Sequence, residues 1–174
     1  MSEAKLKPTV LWFTGPTGSG KSTISEKVYA RLKDEGYKVE HLDGDAVREV
    51  FPSTGFSKEE RDNHVKKVGF IASLLQKHGV FVVASFISPY QDARDFVRNW
   101  CQDFTEGCVS TPLEVCEARD VKGLYEKARK GEIDNFTGIS DPYEEPENPE
   151  IDIDTTDITP EEGVQMVLDY LRER

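Results

Sequence analysis

The sequence of 174 residues contains few cysteines and no long apolar run. Its three cysteines, Cys101, Cys108 and Cys116, are an odd number without C-x-x-C spacing, so neither a disulfide framework nor a zinc site is predicted. The first apolar run, at residues 9–14, ends at a glycine and is too short for a signal peptide or a membrane-spanning helix. We therefore expect buried thiols, no membrane partner and a protein that stays in the cytoplasm.

Positive charge is also scarce in this sequence. There are 33 Asp and Glu residues against 22 Lys and Arg residues, which gives a formal net charge of −11. An acidic protein has little general attraction for DNA, RNA or anionic lipid, so nucleic acid is not an expected partner. Residues 141–157 hold eight of the acidic residues and no Lys or Arg. The rest of the chain is closer to neutral, which is compatible with basic pockets for small anions.

Short apolar runs alternate with amphipathic segments along the chain. The apolar runs predict strands at residues 9–14, 37–42, 80–84, 107–110 and 151–154. The amphipathic segments predict helices at residues 22–35, from the Ser57 capping box to Gly79, at residues 92–100 and 113–119, and from the Thr159 capping box onward. This alternation predicts an α/β fold: a three-layer α/β/α sandwich with a mostly parallel sheet, in one domain over residues 1–174.

A glycine-rich motif, GPTGSGKS at residues 15–22, fits the pattern G-x-x-x-x-G-K-[ST]. It follows a predicted strand and opens a predicted helix, and this context disfavours the alternative of a glycine turn without a ligand. Glycines let backbone N–H groups surround the β- and γ-phosphates of a nucleotide, and the helix N-terminus adds partial positive charge. Lys21 supplies a mobile charge, the Ser22 hydroxyl is placed to ligate Mg²⁺, and Thr23 packs or caps. The motif predicts ATP bound with Mg²⁺.

Two acids, Asp43 and Asp45, follow the second predicted strand. Phosphate-loop proteins need a carboxylate near magnesium, and the predicted strand at residues 80–84 carries none. We expect Asp45 to serve the chemistry and its neighbour to organise the turn, although an Asp-Gly turn with a helix cap is the alternative reading of both. Arg48 and Arg61 come next along the chain and are candidates to hold a second anion opposite ATP.

Residues 122–148 interrupt the alternation of strands and helices with several glycines and prolines. Long irregular segments in a compact domain are often lids over a site, but a solvated loop is the alternative. The N-K-x-D motif with which GTPases read guanine is absent from the sequence. A small-molecule kinase is therefore favoured over a GTPase.

Taken together, these segments resemble the adenylylsulfate kinase (APS kinase) family over nearly the whole chain. The resemblance is carried by the phosphate loop and by LDGDAVR (42–48), GFSKEERDNH (55–64), SFISPYQDARD (85–95), TPLEVCEARDVKGLYEKARKGEI (111–133) and FTGISDPYEEPENPE (136–150). The family transfers a phosphoryl group from ATP to the 3′-hydroxyl of adenosine 5′-phosphosulfate in sulfate activation. The resemblance thus implies a P-loop nucleoside triphosphate hydrolase fold, that activity with Mg²⁺, a homodimer and a functional association with ATP sulfurylase.

The resemblance also implies roles for individual residues. ATP would be bound by Gly15, Pro16, Thr17, Gly18, Ser19, Gly20, Lys21, Ser22, Thr23 and Arg119. The phosphosulfate substrate would be bound by Asp43, Asp45, Arg48, Phe56, Arg61, His64, Ile87, Ser88, Lys122 and Phe136, with the two phenylalanines on opposite faces of its adenine. Lys21, Asp45 and Ser88 would be catalytic, Ser22 and Asp45 would hold Mg²⁺, and residues 122–148 would close as a lid.

Four positions differ from the family pattern or from the role that the family assigns to them. Ser88 occupies the family's proposed phosphoserine position, but an intact phosphate loop favours direct in-line transfer, so we expect Ser88 to contact substrate instead. His64 stands where Asn is common, which would change the geometry or pH dependence of a substrate contact, unless the histidine is merely structural. Pro16 and Thr17 replace the usual Leu-Ser, and we expect activity to survive.

Two further functions remain as alternatives. One is a phosphate-loop kinase that acts on a different anionic acceptor, such as a nucleotide or a sugar acid. The other is a nucleotide-binding regulatory module without turnover, against which the intact Lys21, Ser22 and Asp45 argue.

Overall fold

Five parallel strands form one sheet in the computed structural model, which describes residues 5–51 and 55–174. The strands are β1 (Val10–Thr14), β2 (Val39–Asp43), β3 (Phe81–Ser85), β4 (Phe104–Val109) and β5 (Ile151–Ile153), in the spatial order β2-β3-β1-β4-β5. The helices are α1 (Lys21–Asp34), α2 (Gly44–Val50), α3 (Lys58–Lys77), α4 (Gln91–Trp100), α5 (Leu113–Arg119), α6 (Leu124–Arg129) and α7 (Pro160–Glu173). The predicted α/β class and parallel sheet are confirmed.

The core lies on both faces of this sheet. Because side chains alternate along a strand, Leu11 and Phe13 of β1 face one side and Val10 and Trp12 face the other. The first side packs against apolar residues of α1 and α7, and the second against those of α3 and α4. Helices therefore cover both faces, as a three-layer sandwich requires.

The helix start signals are confirmed at two places. Ser57 and Glu60 form a reciprocal capping box at the start of α3, and Thr159 and Glu162 form another at the start of α7. Strand and helix bounds lie within three residues of the predicted ones, with the largest difference at β4, which begins at Phe104 rather than at residue 107. The helices α2 and α6 were not predicted.

The carboxyl ends of the strands place the loops that matter for function at one edge of the sheet. The glycine-rich loop follows β1, α2 follows β2 without a break, and residues 86–90 follow β3. In open parallel sheets, ligands bind in the crevice at this edge. In the described residues, no helix is long and apolar enough to cross a membrane.

The three cysteines are free thiols, as predicted. Cys108 and Cys116 are buried, whereas Cys101 is only half-buried. Burial raises the pKa of Cys101 to about 11.

Candidate active site

The loop between β1 and α1 has the curvature of a phosphate-binding loop. Gly18 and Gly20 adopt positive φ angles of 81° and 98°, which glycine tolerates best. A Cβ atom on Gly15 would lie only 2.8 Å from both the Ser19 hydroxyl and the Val109 carbonyl. Among the described residues, no side chain caps helix α1, and its first turn holds no acidic residue. Its first N–H groups and positive helix end are therefore suited to bind an anionic ligand.

This loop opens into a cleft of about 500 Å³. The cleft is bounded by the phosphate loop, α2, the start of α3, the loop after β3 and residues 133–137. Its lining includes all ten residues predicted to bind the phosphosulfate substrate: Asp43, Asp45, Arg48, Phe56, Arg61, His64, Ile87, Ser88, Lys122 and Phe136. Of the residues predicted for ATP, it includes Thr17, Gly18, Gly20, Lys21, Ser22 and Thr23, but not Gly15, Pro16, Ser19 or Arg119. One continuous cleft thus holds both predicted subsites.

Positive charge in the cleft is only partly compensated. Burial, followed by the nearby charge of Lys122, lowers the pKa of Lys21 to about 8. The Lys122 ammonium lies 3.1 Å from an Asp45 carboxylate oxygen, and both side chains are largely exposed, at 60% and 81%. The negative charges of Asp45 and Asp43 act on Lys21 in the opposite direction but do not restore its ordinary pKa. A bound polyphosphate would supply the missing negative charge.

The two acids after β2 have different surroundings. The Asp43 carboxylate accepts hydrogen bonds from the backbone N–H groups of Asp45, at 3.1 Å, and Ala46, at 3.2 Å, and so caps α2. The Asp45 carboxylate instead lines the cleft and pairs with Lys122. Asp43 thus organises the turn, and the chemical role expected of Asp45 stays a prediction.

The oxygen donors in the cleft fit Mg²⁺ carried by ATP. Ser22 lies exposed in the first turn of α1 and lines the same cleft as Asp43 and Asp45. In the described residues, no group of three or more His, Cys, Asp or Glu side chains could hold a metal ion alone. Mg²⁺ is commonly held by one or two protein oxygens together with phosphates and water, which matches this sparse donor set.

The predicted aromatic and arginine residues also line this cleft. Phe56 is 55% exposed, and the Arg48 guanidinium lies 4.5 Å from the centroid of its ring. Phe136 packs edge-on against Tyr125, with ring centroids 5.0 Å apart. Two aromatic rings and a cation in the lining of one cleft suit a planar, anionic nucleotide.

Arg61 has partners that the sequence did not suggest. It is buried, and its Nε donates to the Phe56 carbonyl at 2.8 Å. Its two terminal nitrogens donate to the Asn135 carbonyl and the Thr137 hydroxyl. Arg61 therefore ties α3 to residues 135–137, and a substrate anion would have to replace these bonds to be gripped by it.

His64 is buried beside the cleft between two aromatic rings. Its ring centroid lies 6.4 Å from that of Phe51 and 5.7 Å from that of Phe86, both in edge-on geometry. Its Nε2 atom has no hydrogen-bond partner among the described residues. Burial, with the charges of Arg48 and Lys67, lowers the pKa of His64 to about 4, so the ring is neutral near pH 7.

Ser88 is held by the protein on several sides. Its φ angle is 41°, an uncommon conformation for a residue with a side chain. Its hydroxyl accepts a hydrogen bond from the Trp12 indole N–H at 3.0 Å and donates to the Phe86 carbonyl at 3.3 Å. The hydroxyl predicted to contact substrate is therefore already engaged, which leaves the neighbouring backbone as the simpler contact.

Several residues that hold the phosphate loop were missed by the sequence analysis. The Tyr125 hydroxyl donates to the Thr17 carbonyl at 2.5 Å, and the Thr155 hydroxyl donates to the Ser19 carbonyl at 2.6 Å. Arg119, predicted for ATP, donates to the Gly18 carbonyl at 3.2 Å and to both oxygens of Thr155 at 2.9 Å. The signal for Thr155 was its position just beyond the last strand, at the ligand-binding edge of the sheet.

A phosphate loop, a carboxylate in the cleft just beyond β2 and a basic, aromatic pocket in the same cleft define a P-loop kinase that acts on a small molecule. The chain belongs to the adenylylsulphate kinase family, whose family model matches residues 7–154. The resemblance deduced from the motifs is thereby confirmed.

Known relatives are similar over almost the whole chain. An adenylyl-sulfate kinase of Halothermothrix orenii is 50% identical over 169 residues, which make up 97% of this chain and 91% of the relative. The structure of the Mycobacterium tuberculosis APS kinase CysC in complex with AMPPNP and APS is 38% identical, with a TM-score of 0.90 over 96% of this chain and 99% of that chain. A hexameric APS kinase from Thiobacillus denitrificans is 32% identical, with a TM-score of 0.74 over 97% of this chain and 29% of that chain.

Proposed function

We propose that this chain transfers the γ-phosphoryl group of ATP to the 3′-hydroxyl of adenosine 5′-phosphosulfate, giving 3′-phosphoadenosine 5′-phosphosulfate and ADP in sulfate assimilation. The observation that carries the proposal is the single cleft that joins the phosphate loop to the pocket of Phe56, Phe136 and Arg48. The similarity to an APS kinase described in complex with AMPPNP and APS supports this pairing of substrates.

The transfer would depend on positioning and electrostatics. A bond forms between the acceptor's 3′-oxygen and the γ-phosphorus while the bond from that phosphorus to the bridging oxygen of ADP breaks. Asp45 would orient the hydroxyl and accept its proton, and Lys21 would balance the charge of the transferred group. Bound Mg²⁺, held through Ser22 and Asp45, would neutralise charge on the β- and γ-phosphates. Direct transfer requires no covalent role for Ser88.

The acceptor would lie at the aromatic end of the cleft. Phe56 and Phe136 would stack on the two faces of its adenine, and Arg48 and Lys122 would compensate its phosphosulfate. His64, neutral at pH 7, has a ring nitrogen without a partner in residues 5–51 and 55–174, and this nitrogen would hydrogen-bond a neutral part of the acceptor. Arg61 would act by joining the pocket to residues 135–137.

The segment of residues 122–148, called the lid segment below, would close over both nucleotides within the single domain. It contains α6 and contributes Lys122, Phe136 and other residues to the wall of the cleft. Residues 119–130 carry five basic and two acidic side chains, so closure would bring net positive charge to the phosphates and exclude water.

The proposal is tested by comparing acceptors with purified protein. Mg·ATP is supplied with adenosine 5′-phosphosulfate, AMP, shikimate or gluconate, and ADP and the phosphorylated acceptor are quantified. We expect product only with the phosphosulfate. Product with another acceptor would show a different metabolite kinase, and ATP binding without product from any acceptor would leave the regulatory module.

We also propose that the protein forms a homodimer through an aromatic face on α3 and α4, made of Phe70, Leu74, Phe96 and Trp100. These side chains are 38% to 54% exposed. Their rings contact one another: the ring centroids of Phe96 and Trp100 are 5.8 Å apart, and those of Phe70 and Trp100 are 6.0 Å apart. Exposed apolar clusters of this kind are typical of protein interfaces. The hexameric relative supports association between copies of such a chain.

Light scattering coupled to gel filtration tests the dimer. We expect Trp100→Glu to give a monomer, because a buried charge at the centre of an apolar interface is costly. Met166→Glu, at a similarly exposed apolar side chain on α7, is the matched control and should leave the mass unchanged. A monomeric wild-type protein, or a dimer that survives Trp100→Glu, would contradict this interface.

A cytoplasmic location and a functional association with ATP sulfurylase complete the proposal. The three free cysteines are what a reducing compartment maintains.

The association with ATP sulfurylase is tested by adding that enzyme with sulfate and measuring whether the coupled rate exceeds the rate expected from free diffusion of the phosphosulfate.

A further inference from the structure

Arg94 is a fully buried cation that the phosphoryl transfer does not use directly. It lies on α4 with no exposed surface. One terminal nitrogen donates to the Ser88 carbonyl at 2.6 Å, and the other donates to the Glu144 carbonyl at 2.5 Å and to the Gln91 side chain at 2.9 Å. One guanidinium thus joins the loop after β3 to the end of the lid segment.

The acidic partner of Arg94 lies on β4, an inner strand of the sheet. The Glu106 carboxylate on β4 is 2% exposed and lies 3.4 Å from the Arg94 Nε. Arg98 lies 3.4 Å from the same carboxylate and is itself paired with Glu150. Buried ion pairs commonly add no more stability than an apolar pair of equal volume, so the need for core stability alone does not explain a charge here.

The loop that Arg94 holds lies against the cleft and is strained. Ile87, Ser88 and Pro89 line the cleft, and Ser88 has the positive φ of 41°. Residues in sparsely populated backbone regions persist only where the surrounding structure fixes them. The Ser88 carbonyl is fixed by the charge-assisted bond from Arg94, and its hydroxyl by Trp12.

The end of the lid segment is joined to the same loop by bonds beside Arg94. The Glu144 N–H donates to the Pro89 carbonyl at 2.7 Å, and the Tyr143 hydroxyl lies 2.9 Å from the Thr14 hydroxyl at the end of β1. The Arg94 guanidinium is also 5.8 Å from the Tyr143 ring centroid. Arg94 is therefore at the point where the lid segment returns to the sheet.

We propose that Arg94 is a positioning residue for the transfer: it holds the Ser88 turn in its left-handed conformation and anchors residues 143–144, so that the acceptor pocket and the base of the lid segment are set by one side chain. The effect on the acceptor rests on the proposed function, whereas the effect on the Ser88 turn does not. A side chain on the far side of the loop from the substrate would thus control the acceptor KM.

The test compares Arg94→Lys with Arg98→Lys. Lysine at position 94 keeps a positive charge near Glu106 but lacks the planar fork that reaches two carbonyls at once. Arg98 lies on the same helix and contacts the same carboxylate but neither carbonyl, so Arg98→Lys is the matched control. A double variant, Arg94→Met with Glu106→Gln, removes both charges of the pair and separates stability from positioning.

Two readouts are measured for each variant. Steady-state kinetics give KM for the phosphosulfate and for ATP, and the Trp12 indole N–H resonance, assigned with Trp100→Phe, reports the bond to the Ser88 hydroxyl. For Arg94→Lys we expect the acceptor KM to rise about tenfold, with the ATP KM within about twofold, because a small displacement of a substrate-facing loop is costly. We also expect the Trp12 resonance to shift in the free protein, and neither change with Arg98→Lys.

The outcomes separate the proposal from its alternatives. An unchanged acceptor KM and Trp12 resonance in Arg94→Lys would overturn the proposal. The proposal would also be overturned if the double variant had both the thermal stability and the acceptor KM of the wild type, since Arg94 would then be only structural. Failure of the wild-type protein to phosphorylate phosphosulfate would refute the proposed function, while the Trp12 resonance would still decide whether Arg94 holds the Ser88 turn.

Discussion

Lys21 should make the affinity for ATP depend on pH between about pH 7 and pH 9. Its pKa in the free cleft is about 8, because burial and Lys122 disfavour its charge. The phosphates of ATP favour that charge, so we expect the pKa of Lys21 in the complex to return at least to its ordinary value of 10.5. Binding ATP then requires Lys21 to take up a proton whenever it is neutral beforehand.

The size of the effect follows from these two pKa values. Lys21 is protonated in about 90% of free molecules at pH 7, in about half at pH 8 and in about 10% at pH 9. The Kd for Mg·ATP should therefore rise about tenfold from pH 7 to pH 9, or about 1.4 kcal/mol, with about half a proton taken up per ATP bound at pH 8.

Isothermal titration calorimetry in buffers of different ionisation enthalpy measures both quantities. Lys21→Arg keeps a positive charge that does not titrate in this range, so its Kd should be nearly constant from pH 7 to pH 9. Lys122→Met should shift the wild-type transition to higher pH, because Lys122 lowers the pKa of Lys21. Equal wild-type Kd values at pH 7 and pH 9, with no proton uptake at pH 8, would refute this account of the cleft.

Three further predictions concern Asp45, Asp43 and His64. Asp45→Asn should lower kcat at least about a hundredfold and leave the Mg·ATP Kd within about threefold; stopped-assay kinetics measure kcat, and a kcat above half of wild type would contradict the assignment. Asp43→Ala should instead cost about 1 kcal/mol of unfolding free energy, measured by urea denaturation, because it removes the α2 cap. As pH falls from about 6.5 to about 4, the unfolded chain binds a proton at His64 that the folded protein resists, so the wild type should lose about 2.5 kcal/mol more unfolding free energy than His64→Asn. Urea denaturation at the two pH values measures this difference, and equal losses in the two proteins would disprove the low pKa.

The architecture could be predicted because its signals are local. The phosphate loop, the capping boxes of α3 and α7 and the apolar strands each lie within a few consecutive residues. The start of β4 was missed because Glu106 interrupts its apolar pattern, and that buried charge is paired with Arg94 and Arg98, which lie on another element, twelve and eight residues away in sequence. Helix α2 was missed because its first residue is glycine, while the Asp43 cap that starts it was read as a turn.

The site was predictable in composition but not in its contacts. Arg61 and Ser88 were predicted as site residues from the sequence. The sequence could not show that Arg61 donates hydrogen bonds to Asn135 and Thr137, or that the Ser88 hydroxyl accepts one from Trp12. These contacts join residues more than seventy positions apart and depend on how the lid segment and the loop after β3 pack. For the same reason, Thr155 was not recognised as a support of the phosphate loop.

The central claim is direct transfer to one hydroxyl of one acceptor, and a single-turnover reaction with γ-³²P-labelled ATP and adenosine 5′-phosphosulfate tests it. Quenched samples are resolved into protein and nucleotide, and the nucleotide product is digested with a 3′-nucleotidase. We predict that all transferred label is in the nucleotide, is released by the 3′-nucleotidase and never appears on the protein. Label that passes through the protein, or that the 3′-nucleotidase does not release, would contradict direct transfer to the 3′-hydroxyl.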